Sequence, residues 1–180
     1  RLGATSVMSQ GPAWPEGARM LGEVQHMADV GLHLNLTHRF DEGSLVRPLP
    51  FWMLAAALGQ VDVGAVRASF RRQIDLFAHH FGRLPDYIDG HQHVHAFPLL
   101  REVVTGLVAE YWPQGAKPWV RAPDLLVDAG GMSFKGRVLQ RITRGFSGHL
   151  QGEGLRFPPQ FGGLYSLALG ADYPALMRRW

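Results

Sequence analysis

With 180 residues, 46% of them hydrophobic and 18% charged, the chain can bury one real core and is too apolar to be disordered, so one globular domain over 1–180 is expected. A net charge of +3, carried by arginines and only two lysines scattered among acids, argues against nucleic-acid binding. The absence of cysteine excludes disulfides, thiolate metal sites and a cysteine nucleophile; apolar runs such as FWMLAAAL at 51–58 fall far short of the roughly 20 residues a membrane span needs, so a soluble protein is expected.

In chain order, ATSVMS at 4–9 has strand character and runs into QGPAWPEG at 10–17, where two prolines and two glycines predict a turn. VGLHLNLT at 30–37 alternates: Leu32, Leu34 and Leu36 share a core face, and His33, Asn35 and Thr37 share a polar one. From Val63 to Phe81 the spacing of Val66, Phe70, Ile74, Phe77 and Phe81, with Arg67, Arg71 and Arg72 opposite, predicts an amphipathic helix stopped by Gly82 and Pro85. PDYIDG then reads as a short strand, and 97–112 as a helix with Pro98 near its first turn. KPWVRAP at 117–123 reads as another strand, with helices over 132–146 and 171–180. Strands alternating with helices predict an α/β domain with a mostly parallel sheet, open or barrel-like. In such folds chemistry sits at the carboxyl ends of strands, where His33 and the histidines of 91–95 fall.

The stretch YIDGHQHVHAF at 87–97 places Asp89, His91, His93 and His95 on alternate positions. In an extended chain these would share one face, roughly 6 to 7 Å apart, and could converge on a cation only if the backbone bends. Imidazoles and carboxylates suit zinc, iron, nickel or manganese, and an ion held by two or three protein ligands keeps positions open for hydrolysis. On this chemistry alone Asp89 is a candidate third ligand. His26, His38, His79, His80 and His149 read instead as isolated structural histidines, with His79 and His80 favourably placed at a helix end. Gly31 reads as a site of tight backbone packing.

VGLHLNLT, followed about fifty residues later by FGRLPDYIDGHQHVHAFP, resembles the YdjC-like family of carbohydrate deacetylases. RLGATSVM and VRAPD are similar to family segments as well, so the likeness covers essentially the whole chain. The resemblance implies a distorted (β/α) barrel with a mostly parallel sheet, and metal-dependent hydrolysis of the N-acetyl group of an amino sugar or oligosaccharide. It implies His33 and His91 as metal ligands, magnesium as the usual ion, and zinc as an ion the histidines also suit. Asp89, His93 and His95 are implied as supports or substrate-facing groups. On the mechanism this suggests, His95 is the candidate within these residues to donate a proton to the leaving amine, a histidine of the family's C-terminal segment being at least as open, and Arg121, at the end of a predicted strand, could reach a substrate hydroxyl or carbonyl, with a structural ion pair equally open. Trp52, Trp112 and Trp119 could stack on sugar rings, but packing is the stronger reading. The expected partner is a small carbohydrate, with no nucleic acid or membrane, in the cytoplasm; a homo-oligomer is compatible with the sequence.

The family also implies an N-terminal Asp-Asp motif that supplies a metal carboxylate and the general base, and a C-terminal His-Pro segment. Neither occurs in these 180 residues. The barrel is therefore expected to be incomplete at both ends here, with those segments lying outside the sequence rather than missing from a truncated product. Two other readings stay open. Asp-Gly-His-Gln-His also fits the D-x-H-x-H pattern of phosphoesterases of the polymerase-and-histidinol-phosphatase type, although only His149 follows His95. The chain could also be a metal- or sugar-binding relic without catalysis.

Overall fold

Four short strands pair in chain order, every pair parallel: β1 (Ala4–Val7), β2 (Asp29–Leu34), β3 (Tyr87–Gly90) and β4 (Trp119–Val120). The computed structural model describes residues 3–127, 134–162 and 174–175. Parallel neighbours need long crossovers, and helices supply them. Between β1 and β2 lies α1 (Trp14–Val24); between β2 and β3 lie α2 (Leu49–Ala57) and α3 (Val63–Phe81). A 3-10 turn (His91–Ala96) and α4 (Leu100–Tyr111) lead to β4. A second 3-10 turn (Pro123–Leu125), α5 (Phe134–Ile142) and α6 (Phe146–Gly152) follow it. Among the described residues the sheet stays open, as an incomplete, distorted (β/α) barrel would. No helix described is long and apolar enough to cross a membrane.

α3 has the predicted bounds because both ends are marked chemically. The Asp62 carboxylate accepts from the Ala65 amide at 2.9 Å, and Gly82, at φ 78°, closes the helix in the left-handed conformation. Its apolar face of Val66, Phe70, Ile74 and Phe77 joins Val103, Val104, Leu107 and Val108 of α4 in the core. On the outside, Arg67 and Arg71 of α3 pair with Glu110 of α4.

The turn predicted over 10–17 is present only as far as residue 13, and α1 begins within its span at Trp14. Pro15 falls in the first turn, where a missing amide hydrogen costs nothing. Trp14 anchors the helix by packing on Phe77, with ring centroids 5.1 Å apart, and its indole N–H donates to the Leu76 carbonyl at 3.2 Å. The apolar run at 51–58 largely forms α2, whose Trp52 is buried and donates to the Leu36 carbonyl at 2.9 Å. The helix predicted over 97–112 begins only at Leu100, because Pro98 and Leu99, at φ 66°, lie in the approach to it. The helix predicted over 132–146 divides: α5 ends at Ile142, and Gly145, at φ 78°, redirects the chain into α6. The helix predicted over 171–180 lies outside the described residues except at 174–175.

The register of β2 against β3 sets Gly31 beside Tyr87 and His33 beside Asp89. Tyr87 is buried and stacks on Trp119, with ring centroids 4.0 Å apart and planes within 5°. A Cβ at Gly31 would overlap that ring, so this is the tight approach that glycine permits. Gly31→Ala is expected to destabilise the protein by about 1–3 kcal/mol, read as a lower urea midpoint at unchanged m value.

Candidate active site

Asp89 lies on β3 at 1% exposure and is the hub of the carboxyl-end face of the sheet. One oxygen, Oδ1, sits 2.7 Å from His33 Nδ1 on β2. The other, Oδ2, accepts from Ser6 Oγ of β1 at 3.3 Å and pairs with the Arg121 guanidinium, just past β4, at 3.1 Å. Burial pushes the Asp89 carboxyl up. The hydrogen bond and charge of His33, with the Arg121 charge, outweigh it and hold the group below the usual carboxylate range. A carboxylate can only accept, so His33 Nδ1 carries the hydrogen and donates, and Nε2 is the nitrogen left for a ligand. Both Asp89 oxygens are thus engaged. Neither oxygen points alone toward the site as a third ligand suggested by spacing would; each already meets a side chain of a neighbouring strand or of the segment past β4.

The turn after β3 bends the chain that alternation had laid out as one face. Gln92 and His93 adopt φ values of 51° and 62°, unusual for residues with side chains. As a result the three histidines reach three different surroundings. His91 faces His33, with ring centroids 5.6 Å apart. His93 packs edge-on against Phe161 at 5.1 Å, and burial pushes its pKa down to about 3. His95 is fully buried; burial lowers its pKa to about 4, and its Nε2 donates to the Arg121 carbonyl at 2.8 Å. Its other nitrogen, Nδ1, is buried without a partner against Gly90, where a Cβ would come within 2.6 Å of it. The D-x-H-x-H spacing therefore does not act as one ligand set.

Two more of the expected site residues, His95 and Arg121, meet each other beside this hub. His95 is enclosed, burial lowers its pKa to about 4, and it holds the backbone of Arg121. Arg121 spends a guanidinium nitrogen on Asp89 while its side chain stays about one third exposed (34%), so the structural ion pair is present and a substrate contact remains open to it. The tryptophans serve packing: Trp52 is buried under α2, and Trp119 stacks on Tyr87 and donates to Asp29 at 2.9 Å. His149 meets Thr105 at 3.2 Å and stacks on Phe146.

From sequence His38 reads as an isolated structural histidine, and the structure sets it beside the His33–His91 pair. Its ring centroid lies 6.3 Å from that of His91 and 4.7 Å from that of Phe40. Burial and the neighbouring His33 and His38 charges together lower the pKa of His91. The available signal was Asn35, three residues earlier, a residue type that turns a chain through its own side chain.

For a divalent ion, the donor chemistry fits in part. His33 offers Nε2 with its tautomer set by a carboxylate, a common support of metal-bound imidazole, and His91 stands beside it. No group of three or more His, Cys, Asp or Glu able to hold an ion occurs among the described residues, so the fit is that of two ligands.

The family model described as YdjC-like protein matches residues 1–179. The chain belongs to the YdjC-like family. It is 28% identical over 184 aligned residues to a carbohydrate deacetylase of Homo sapiens, covering 89% of this chain and 54% of that one. It is 27% identical to a chitooligosaccharide deacetylase of Proteus mirabilis, covering 83% and 58%. The chain thus spans little more than half the length of these family relatives. Among solved structures, a putative cellobiose-phosphate cleavage protein from Enterococcus faecalis V583 superposes with a TM-score of 0.61 over 97% of this chain and 61% of that one. At 18% identity this likeness speaks to the fold alone.

The buried His95 makes stability depend on pH. Its pKa falls from about 6.5 unfolded to about 4 folded, so its contribution is complete above about pH 6.5 and is lost as pH falls toward 4. Unfolding free energy is expected to drop by up to about 3 kcal/mol across that window from this residue. His95→Gln, which keeps a donor for the Arg121 carbonyl but takes up no proton, is expected to flatten the slope, with His93 leaving a remainder.

Proposed function

We propose that the protein hydrolyses the N-acetyl group of an acetylated amino sugar or oligosaccharide with the help of a divalent ion held by His33 and His91. The observation that carries this reading is the pair itself: an imidazole with its tautomer fixed by a buried carboxylate, facing a second imidazole at the carboxyl ends of parallel strands. Membership of the YdjC-like family and likeness to a carbohydrate deacetylase and a chitooligosaccharide deacetylase support the substrate class. Magnesium follows from the family resemblance and zinc from the histidine donors; either would supply Lewis acidity toward water and an amide carbonyl.

The chain's own residues then have separable tasks. His33 and His91 bind. Asp89 holds the His33 ring and its proton at Nδ1, while Ser6 and Arg121 keep Asp89 ionised and in place. Arg121, partly exposed, is positioned to offer a donor to a sugar hydroxyl or the acetamido carbonyl. His93 and His95 act as positioning residues: His95 through the Arg121 backbone, His93 through the turn that presents His91.

The test is metal binding by calorimetry alongside acetate release from N-acetylated chitooligosaccharides, on the full chain. The double variant His33→Ala/His91→Ala is expected to lose tight binding and activity together, and undiminished stoichiometric binding would sink the assignment. Asp89→Asn is expected to weaken metal affinity about 10- to 100-fold, because the amide can present the wrong group to His33. An unchanged affinity would show that Asp89 does not act through the ligand.

A further inference from the structure

Among the histidines, His38 has an exposed ring whose backbone is nonetheless held by buried machinery. The Asn35 side chain, itself buried, accepts from the Thr37 and His38 amides at 3.1 and 2.8 Å and donates to the His38 carbonyl at 2.7 Å. Asn35 is fixed in turn by Gln73 of α3, fully buried, whose side-chain oxygen takes the Asn35 amide at 2.8 Å and whose nitrogen donates to the Asn35 carbonyl at 2.9 Å. Ser9 closes the set by donating to the Gln73 carbonyl at 2.7 Å. Burying two amide side chains requires nearly every polar atom to be satisfied, and here most of those bonds fix one turn. That turn presents His38 beside His91, with its ring oriented edge-on against Phe40.

We infer that His38 is a substrate-contacting residue of this site, hydrogen-bonding a polar group of the acetylated sugar next to the acetamide at the ion site of His33 and His91. This rests on the proposed function and deepens it. An imidazole both donates and accepts, which suits a sugar hydroxyl, whose oxygen does the same. The exposure of the ring leaves those groups available to a ligand, and the Asn35–Gln73 pair removes the entropy of ordering its backbone on binding. The ring is not assigned as a third ion ligand, since no three such groups among the described residues have metal-holding geometry.

The experiment compares wild type, His38→Ala and His38→Gln on the full chain, with di-N-acetylchitobiose as substrate and calorimetric titration of the divalent ion as a separate readout. Loss of a hydrogen bond made equally in the bound and transition states raises KM and spares kcat. His38→Ala is expected to raise KM about tenfold with kcat little changed, to leave ion affinity within about twofold, and to be rescued in large part by His38→Gln. An unchanged KM in an active His38→Ala protein would overturn this inference and leave the deacetylase reading standing. Loss of tight ion binding, as expected for His33→Ala/His91→Ala, would make His38 a ligand and overturn it equally. A wild type that binds the ion but neither binds nor hydrolyses the acetylated disaccharide would take down both readings.

Discussion

A carboxylate almost wholly removed from water is the constraint around which this face of the molecule is arranged. Leaving Asp89 ionised and unpaired at such depth would be costly, so its neighbours must supply donors. Two strands and the residue that follows a third do so: Ser6 from β1, His33 from β2, and Arg121 just beyond β4. One buried charge therefore ties together the carboxyl ends of the sheet. The same bonds fix which nitrogen of His33 is free, so satisfaction of the core and preparation of the site are one event.

A second buried polar arrangement works beside the first. Gln73, on the inner face of α3, grips both backbone groups of Asn35 where β2 ends, and Asn35 bends the chain so that it leaves the sheet at once. The apolar face of α3 sets the depth of that helix, and its one buried amide sets where β2 stops. On the neighbouring strand the Gly90–His95 contact has a comparable effect. The ring of His95 fills the space a Cβ would occupy and bonds the Arg121 carbonyl, which holds the left-handed bend at Gln92 and His93.

Periodicity made much of this legible. The spacing of α3, with Asp62 and Gly82 at its ends, carries its bounds in local chemistry, and the alternation of Leu32, Leu34 and Leu36 marks the core face of β2 because adjacent residues of a strand point oppositely. α1 escaped because Pro15 and Gly17 are helix breakers in general and harmless in a first turn; only the pocket that Trp14 fills against Phe77 shows which case holds. α2 carries no period to find, since its residues are apolar on every side.

The sequence by itself determined the α/β alternation, the family and the residue types gathered at the strand ends, because hydrophobic period and short motifs are local properties of the chain. It did not determine which histidine meets which partner. That was decided by the parallel register that sets His33 against Asp89, by the left-handed bend that sends His91, His93 and His95 apart, and by the Asn35 turn that brings in His38. Each of these depends on atoms far apart in the chain competing for the same buried space and the same hydrogen bonds, and such competition exists only once the sheet has formed.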